Sequence, residues 1–487
     1  MSKFNNKIQY ERASSYEGGK NYKKNPVEDL MNFMLSSYLE DRYYESAEEQ
    51  MLRFLGLLEE VKDKLSYEWI AKLSFFARNE VGMRSIAELT AAWLNEKKFD
   101  NKRAYFRNFF RRPDDVGETF AAIDKLDGKR SHALVRGAGD YLSTLGEYQL
   151  GKYKMNRKTY NMYDLINITH AHSAAIDKFK AGTLAVPETW ETKISASKSE
   201  EEKAKNWREM VEQDKLGYLA LIRNLRNILK SDVDMEWVNT YLIPKLTDEV
   251  RIKKSLVFPY QIYCAWKNKG VSNYALDAAI ERAFCLSCGN MPKLEGKNLV
   301  VLDVSGSMEA RFSANSSLTI KEVGAVYGAA LLVSNNADFV RFGNHAKTSA
   351  YNPLGNIFGI IEDMQMNYDC GYGTDIGSVF DCIKDQTYDR IFLISDMQIM
   401  DSETYKYSTW NVNKDSIASF KEYKASSGAN PVLYSFDLGN YHNQIENPNN
   451  PKIHLFTSLS DSFFQMIEYI EDGGKLVDYI DKNYNYC

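Results

Sequence analysis

The sequence predicts an α-helical, HEAT-like repeat module over residues 1–295 followed by a doubly wound α/β domain over residues 296–487. Three observations carry that division. Helical apolar spacing is almost unbroken from about residue 27 to 290, and at residue 298 a continuous apolar run appears. Beyond it, strand-like runs alternate with helical stretches to the C-terminus.

In the first part, PVEDLMNFMLSSYL, AEEQMLRFLGLLEEVKDKL, SYEWIAKLSFFARNEVG, SIAELTAAWLNEKKF and RAYFRNFFRR follow in close order. Each places apolar residues at i, i+3, i+4 and i+7, and the joints between them are short and polar or contain Gly. Many helices of one to two dozen residues with brief turns suggest stacked helix pairs, although no clean sequence repeat is visible and an ordinary helical bundle has the same signature. Residues 1–25 are polar. ETKISASKSEEEKAKNW, at 190–206, is highly charged and poor in apolar residues, and reads as a surface excursion within the module.

In the second part, NLVVLDVSGS has the form of a buried parallel strand ending in Asp and small residues. ADFVRFG, DRIFLISD, NPVLYSFDL and KIHLF are further strands. Between them LTIKEVGAVYGAALLVS, NIFGIIEDMQ, DIGSVFDCIKD, SIASFKEYKAS and SDSFFQMIEYIED read as helices. Such a sheet binds ligands at the carboxyl ends of its strands.

The composition is that of a globular chain, 44% hydrophobic and 26% charged. No run of 18 apolar residues is present, so no membrane span is expected, and the polar start lacks the apolar core of a signal peptide. Six cysteines in 487 residues do not make a disulfide scaffold. Cys285 and Cys288 form a lone CxxC at the end of an apolar helix and read as buried thiols in a reducing cytoplasm. The net charge of −5 hides an asymmetry: residues 1–300 sum to +6 and the remainder to −11. That division points to a part facing nucleic acid beside one employed differently.

Asp303, Ser305 and Ser307 occupy one short loop after a buried strand, where one carboxylate and two hydroxyls can converge. Thr374 precedes a helix and Asp396 ends a later strand, adding two more oxygens. Hard cations, Mg²⁺ above all, want such oxygen ligands and keep several waters. No catalytic base stands beside this constellation, so it reads as a binding site. A two-metal nuclease would need clustered carboxylates instead.

Three basic clusters mark the helical part. Arg103, Arg107 and Arg111 recur at i+4, with Lys102 and Arg112 adjoining and Tyr105, Phe106, Phe109 and Phe110 interleaved. A cationic stripe matches a phosphate backbone, and exposed aromatics could stack on unpaired bases. A solvated helix face over a Phe core explains the same stretch equally well. GKYKMNRKTY supplies Lys152, Lys154, Arg157 and Lys158 without an acid, and leads into a helical segment carrying His170 and His172. GYLALIRNLRNILK places Arg223, Arg226 and Lys230 on one face, ahead of Arg251, Lys253 and Lys254. Arg223 and Arg226 could equally tie neighbouring helices together through buried contacts.

The DxSxS loop, Thr374 and Asp396 resemble the metal-ion-dependent adhesion site of von Willebrand factor A domains. The resemblance implies that the serines and the threonine contact the metal, that the aspartates act through water, and that an open position takes a partner's carboxylate. The order YKMNRK, DLINITHAHS, VPETWETKISASKS, NWREMV, GYLALIRNLRNIL, RIKKSLVFPYQIYCAW, ALDAAIERAF and LDVSGSM is similar to the TROVE-module family, the Ro autoantigen and its bacterial relatives. It is strongest from about residue 135 to 310; residues 1–130 match only in helical pattern, and ITHAHS lacks the Lys-Pro that usually follows the histidine. The resemblance implies a HEAT-like ring closed by a von Willebrand factor A-like domain. It also implies binding of Y-type noncoding RNA, with Lys152, Arg157 and His170 at contact positions, and of the single-stranded 3′ ends of misfolded RNAs in the ring.

These readings converge on an RNA-binding ribonucleoprotein component without catalytic activity, monomeric and cytoplasmic, working in RNA quality control or processing beside an exoribonuclease. The rival reading is a metal-dependent protein-interaction scaffold that binds no RNA.

Overall fold

The computed structural model describes residues 12–14, 20–22 and 26–36. From residue 46 onward it describes all but 154, 156, 157, 186, 188, 231–233, 314, 315, 368, 399–415, 439–444, 446–449, 451, 457–462, 465, 468–475 and 487. Two compact units emerge. One gathers Ser197–Gln465 with Met1–Asn32 and Glu40–Glu49; the other gathers Gln50–Ala196 with Phe33–Leu39 and Met466–Cys487. The compact units are cut differently from the sequence division at 295/296: the helices from residue 200 onward pack on one another and, through Pro259–Asn268, on the helix Ile320–Asn335 that covers the sheet. The boundary falls instead at Ser197, inside the segment expected to be a surface excursion. That segment is helical: Glu200–Glu212 starts at Ser199, whose side chain accepts from the Glu202 amide, and Glu200, Glu201 and Glu202 fill its first turn. Acids there complement the helix dipole, so a charge-rich stretch still folds.

The helical unit stacks alternate helices. Tyr67–Asn79 packs on Lys102–Phe109, which packs on His132–Leu142, which packs on Met162–Thr169; Ser85–Leu94 packs on Pro113–Lys125. Each helix meeting the next but one is the arrangement of a helical repeat array. Gly137 allows the tightest of these approaches, since a Cβ there would lie 2.7 Å from the Arg103 carbonyl oxygen and 2.8 Å from the Phe106 Cβ. A buried pair ties three helices: Arg78 donates to Asp115 Oδ2 at 2.6 Å, and Asp115 also accepts from the Arg111 and Arg112 amides and from Arg84.

The sheet unit has an antiparallel hairpin, β1 (Arg12–Ser14) and β2 (Lys20–Tyr22), and a six-stranded sheet. The sheet strands are β3 (Asn298–Asp303), β4 (Asp338–Phe342), β5 (Ala346–Ser349), β6 (Arg390–Ser395), β7 (Val432–Asp437) and β8 (Ile453–Phe456), in the order β5-β4-β3-β6-β7-β8. All pairs are parallel except β4–β5. Strand alternation gives both faces a partner. Leu299 and Val301 join Val379, Phe380 and Phe420 in one core cluster. On the other face Gly324 and Gly328, in helix Ile320–Asn335, lie against Leu302 and Val300. This is the doubly wound arrangement the alternation predicted, with one added edge strand, β5. Of the helix expected at SDSFFQMIEYIED, only Phe463, Phe464, Met466 and Ile467 are described, all helical and buried.

Within the same unit, the helices before β3 pack on the sheet's own helices. Tyr263 donates to Glu322 at 2.7 Å, and Phe358 meets Trp266, Tyr263 and Phe284. Cys288 is buried and Cys285 half-buried; burial pushes the Cys285 thiol up to about 11 and raises that of Cys288. Both are inert thiols at neutral pH. Among the described residues, no helix is long and apolar enough to cross a membrane.

Candidate metal centre and basic surfaces

In a sheet of this order the chain direction of winding reverses between β3 and β6, and a crevice opens at their carboxyl ends. Asp303 is the last residue of β3, and Asp396 follows the last residue of β6. The polar tail of an apolar strand is thereby delivered to the crevice. Asp303 and Asp396 are both 0% exposed, Ser305 1% and Thr374 4%. Asp303 Oδ1 accepts from the Ser305 amide at 2.9 Å, Asp303 Oδ2 accepts from Ser395 Oγ at 2.6 Å, and the Ser305 and Ser307 hydroxyls lie 3.2 Å apart. Asp396 Oδ1 accepts from the Gln398 amide.

Thr374 arrives through a separate loop that backbone bonds stitch to the first. The Gly306 amide donates to the Tyr372 carbonyl at 3.0 Å, and the Asp375 amide to the Gly343 carbonyl at 2.8 Å. Asn344 Oδ1 accepts from both the Tyr372 and Gly373 amides. The turn needs Gly371, with φ +78° and no room for a Cβ against Asn344. Met397, directly after Asp396, holds φ +57°, a strained backbone for this residue type and one found at functional sites. The five expected positions, Asp303, Ser305, Ser307, Thr374 and Asp396, thus lie on loops joined at the head of the sheet.

Electrostatics favour a cation there. Burial, with the Asp396 charge added, pushes the Asp303 carboxyl up to about 7. Burial, with the charge of Asp437 added, pushes Asp396 up to about 6. Asp396 Oδ2 is buried with no hydrogen-bond partner among the described residues. Two buried carboxylates side by side, one with an oxygen unengaged, fit a divalent cation and are costly without one. Ser395, the last residue of β6, escaped the sequence reading although its hydroxyl orients Asp303. Its signal was its place directly before Asp396 in DRIFLISD.

The basic clusters divide sharply. Tyr105, Phe106 and Phe109 are 0% exposed and Phe110 2%, so none is placed to stack on bases. Here the Phe-core reading replaces the stacking one, because Lys102–Phe109 is clasped between two neighbouring helices. Lys102 folds back onto the Asn95 and Lys97 carbonyls at 2.5 and 2.6 Å, capping the end of helix Ser85–Leu94. Arg103 makes a two-pronged pair with Asp140 at 2.7 and 2.8 Å, and Arg112 pairs with Asp114. Arg107 and Arg111 are exposed, and neither makes an ion pair with a described residue.

Lys152 stands 4.0 Å from Glu191, and Lys158 pairs with Glu118 at 2.7 Å. Lys154 and Arg157 lie outside the described residues. His170 is exposed at the end of helix Met162–Thr169, in a left-handed turn at φ +56°. Arg223, Arg226, Lys253 and Lys254 are exposed and make no ion pair with described residues, so the buried helix-tying role is not theirs. Arg251 does tie neighbouring segments, at the surface: it pairs with the exposed Asp214 and donates to the Leu216 carbonyl at 2.6 Å.

Residues 151–273 match the model of the TROVE domain family. Among solved structures, the crystal structure of the Deinococcus radiodurans Ro (RSR) protein superposes with a TM-score of 0.65 at 16% identity, covering 93% of this chain and 100% of that one. No curated protein matches by sequence. At that identity the superposition establishes a shared fold, which is the helical-repeat-plus-α/β class the sequence predicted.

Proposed function

We propose that this Ro-like protein, carrying a TROVE domain over residues 151–273, is a noncoding-RNA-binding ribonucleoprotein component. The observation that carries the reading is the coincidence of that domain with exposed cations: Arg223, Arg226, Lys253 and Lys254 all fall inside it, as does the exposed His170. Cations already held by a carboxylate have little left for phosphate, whereas these four make no ion pair with a described residue. Binding is by charge and shape, with little sequence readout. The RNA class is Y-type RNA and the single-stranded 3′ ends of misfolded RNAs, the role RNA quality control or processing, and the protein partner an exoribonuclease.

Affinity for a hairpin RNA with a single-stranded 3′ tail, measured across a salt series, tests this. The double variant Arg223→Glu/Arg226→Glu is expected to bind at least about tenfold more weakly, with a shallower salt slope. Unchanged affinity and slope would count against the assignment.

A Mg²⁺ ion would fit the sheet unit, where Ser305, Ser307 and Thr374 would hold it with Asp303 and Asp396 beside them. Such an ion supplies charge neutralisation and fixed oxygen geometry there. Asp303, itself oriented by Ser305 and Ser395, aligns the hydroxyls, and the stitched loops keep them converged. Tyr372, 70% exposed at the rim of this crevice, favours a second reading in which the site serves a protein partner. Capture of a protein in Mg²⁺ but not in chelator, with no RNA copurifying, would favour the scaffold.

A further inference from the structure

We propose that Met235, Trp237 and Tyr241 form a docking surface for a basic segment of a partner protein. The surface is built on one continuous stretch of backbone. The short helix Met235–Trp237 runs directly into a π-helical turn, Val238–Leu242, closed by the Ile243 amide on the Val238 carbonyl. Such turns are rare and concentrate at functional sites. Val238 and Leu242 are buried and fasten the turn to the fold, while Met235 is 36% and Tyr241 41% exposed. Trp237 is half-buried, and its ring lies 6.0 Å from that of Tyr241. Its indole N–H donates to Glu212, on helix Glu200–Glu212, at 2.7 Å. The ring is therefore held in place before any partner arrives, and an aromatic pair already fixed loses little entropy on binding. Trp, Tyr and Met are the residue types that anchor protein interfaces.

Charge selects the occupant. Glu212 is bonded to the Trp237 ring, and Asp234 and Glu236 flank Met235 in the chain. All three acids are exposed, and none makes an ion pair with a described residue. The cations nearest along these helices are engaged elsewhere. Lys245, one turn beyond Tyr241, pairs with Asp214 at 2.9 Å, and Arg208, one turn before Glu212, donates to the Ala204 carbonyl at 3.5 Å. Unmatched carboxylates repel a phosphate backbone, so these rings are badly placed to stack on RNA bases. The same carboxylates attract Lys or Arg. Arg suits the surface best: its guanidinium stacks flat on an aromatic ring while its fork of donors meets a carboxylate. The exposed Arg223 and Arg226, in the same unit, have the opposite character and the opposite preference.

The test uses the full chain and a short fluorescent peptide alternating Arg and Leu, with the same peptide carrying Glu for Arg as its control. Anisotropy is expected to rise with the Arg peptide alone, and its affinity to fall as salt rises. Met235→Ser/Tyr241→Ser changes only exposed positions and should weaken peptide binding at least about tenfold. Glu212→Gln/Glu236→Gln should weaken it by a similar factor and flatten its salt dependence. Melting curves and affinity for the tailed hairpin RNA should stay as in the native protein. Failure of the native protein to bind the Arg peptide overturns the proposal, as does equal binding by Met235→Ser/Tyr241→Ser. A loss of RNA affinity in that variant, with its melting curve unchanged, would show that the rings stack on bases and would overturn the proposal too.

Discussion

The metal-site loops and the basic stretch at 102–112 are both dense in functional-looking residues, yet they fold to opposite ends. In the loops, polar side chains are buried together and converge; in the basic stretch, most of the eye-catching groups are taken by the fold. Tyr105, Phe106 and Phe109 vanish into the core, Lys102 caps a helix, and Arg103 is held by Asp140. A buried carboxylate must be met by a partner: Asp115 finds Arg78 and Arg84 in the fold, whereas Asp396 keeps an oxygen with no hydrogen-bond partner among the described residues.

The largest expected effect tests the aromatic half of that contrast. Phe106→Ala empties a fully buried site and should cost about 3–5 kcal/mol in denaturant unfolding. RNA affinity per folded molecule should stay within about twofold; a loss of a factor of ten would show that the ring meets RNA after all.

Next in size is the metal. At a Mg²⁺ concentration 100 times its dissociation constant, binding should add about 2.7 kcal/mol to stability. Asp303→Ala should abolish that increment and leave the melting curve the same in Mg²⁺ and chelator. A Mg²⁺ shift that persists in this variant would place the ion somewhere other than the head of β3.

The contrast also explains what the sequence made legible. The strands β3, β4, β6, β7 and β8 were readable because each is a continuous apolar run, the signature of a strand buried on both faces. β5, AKTS, was not: only its ends are half-buried, so no run exists to see. The DxSxS loop was readable because two-residue spacing after a strand fixes its own geometry. Ser395 was not, because its relevance comes from the lateral pairing of β6 with β3, which brings its hydroxyl to Asp303. The same holds for Asp140. Nothing local announces that a residue 37 positions downstream claims Arg103. The helices within the charge-rich 190–206 stretch were not legible either, because composition says little of a start that the caps at Thr189 and Ser199 fix.

Lys102 sharpens the comparison at smaller amplitude. Lys102→Met should lower stability by about 1 kcal/mol, since it removes a cation from helix-end carbonyls, and should leave RNA affinity unchanged. Weaker RNA binding at equal folded fraction would return Lys102 to the contact surface.

The smallest effect separates a spent charge from an available one. Arg226→Gln should reduce the slope of log affinity against log salt by about 0.7, the value of one lost single-strand contact. Arg103→Gln should leave the slope where it was, because Asp140 already compensates that guanidinium, and the pair holds the Asp140 carboxyl below its ordinary range. The converse variant argues the point from the other side. Asp140→Asn deletes the compensating charge and leaves Arg103 beside Arg107 with no carboxylate between them, so RNA affinity at low salt should rise, by a factor of a few, and the slope should steepen. Were the Arg103–Asp140 pair distant from any RNA path, both variants would bind as the native protein does, and the cations of the 151–273 region alone would carry the contact.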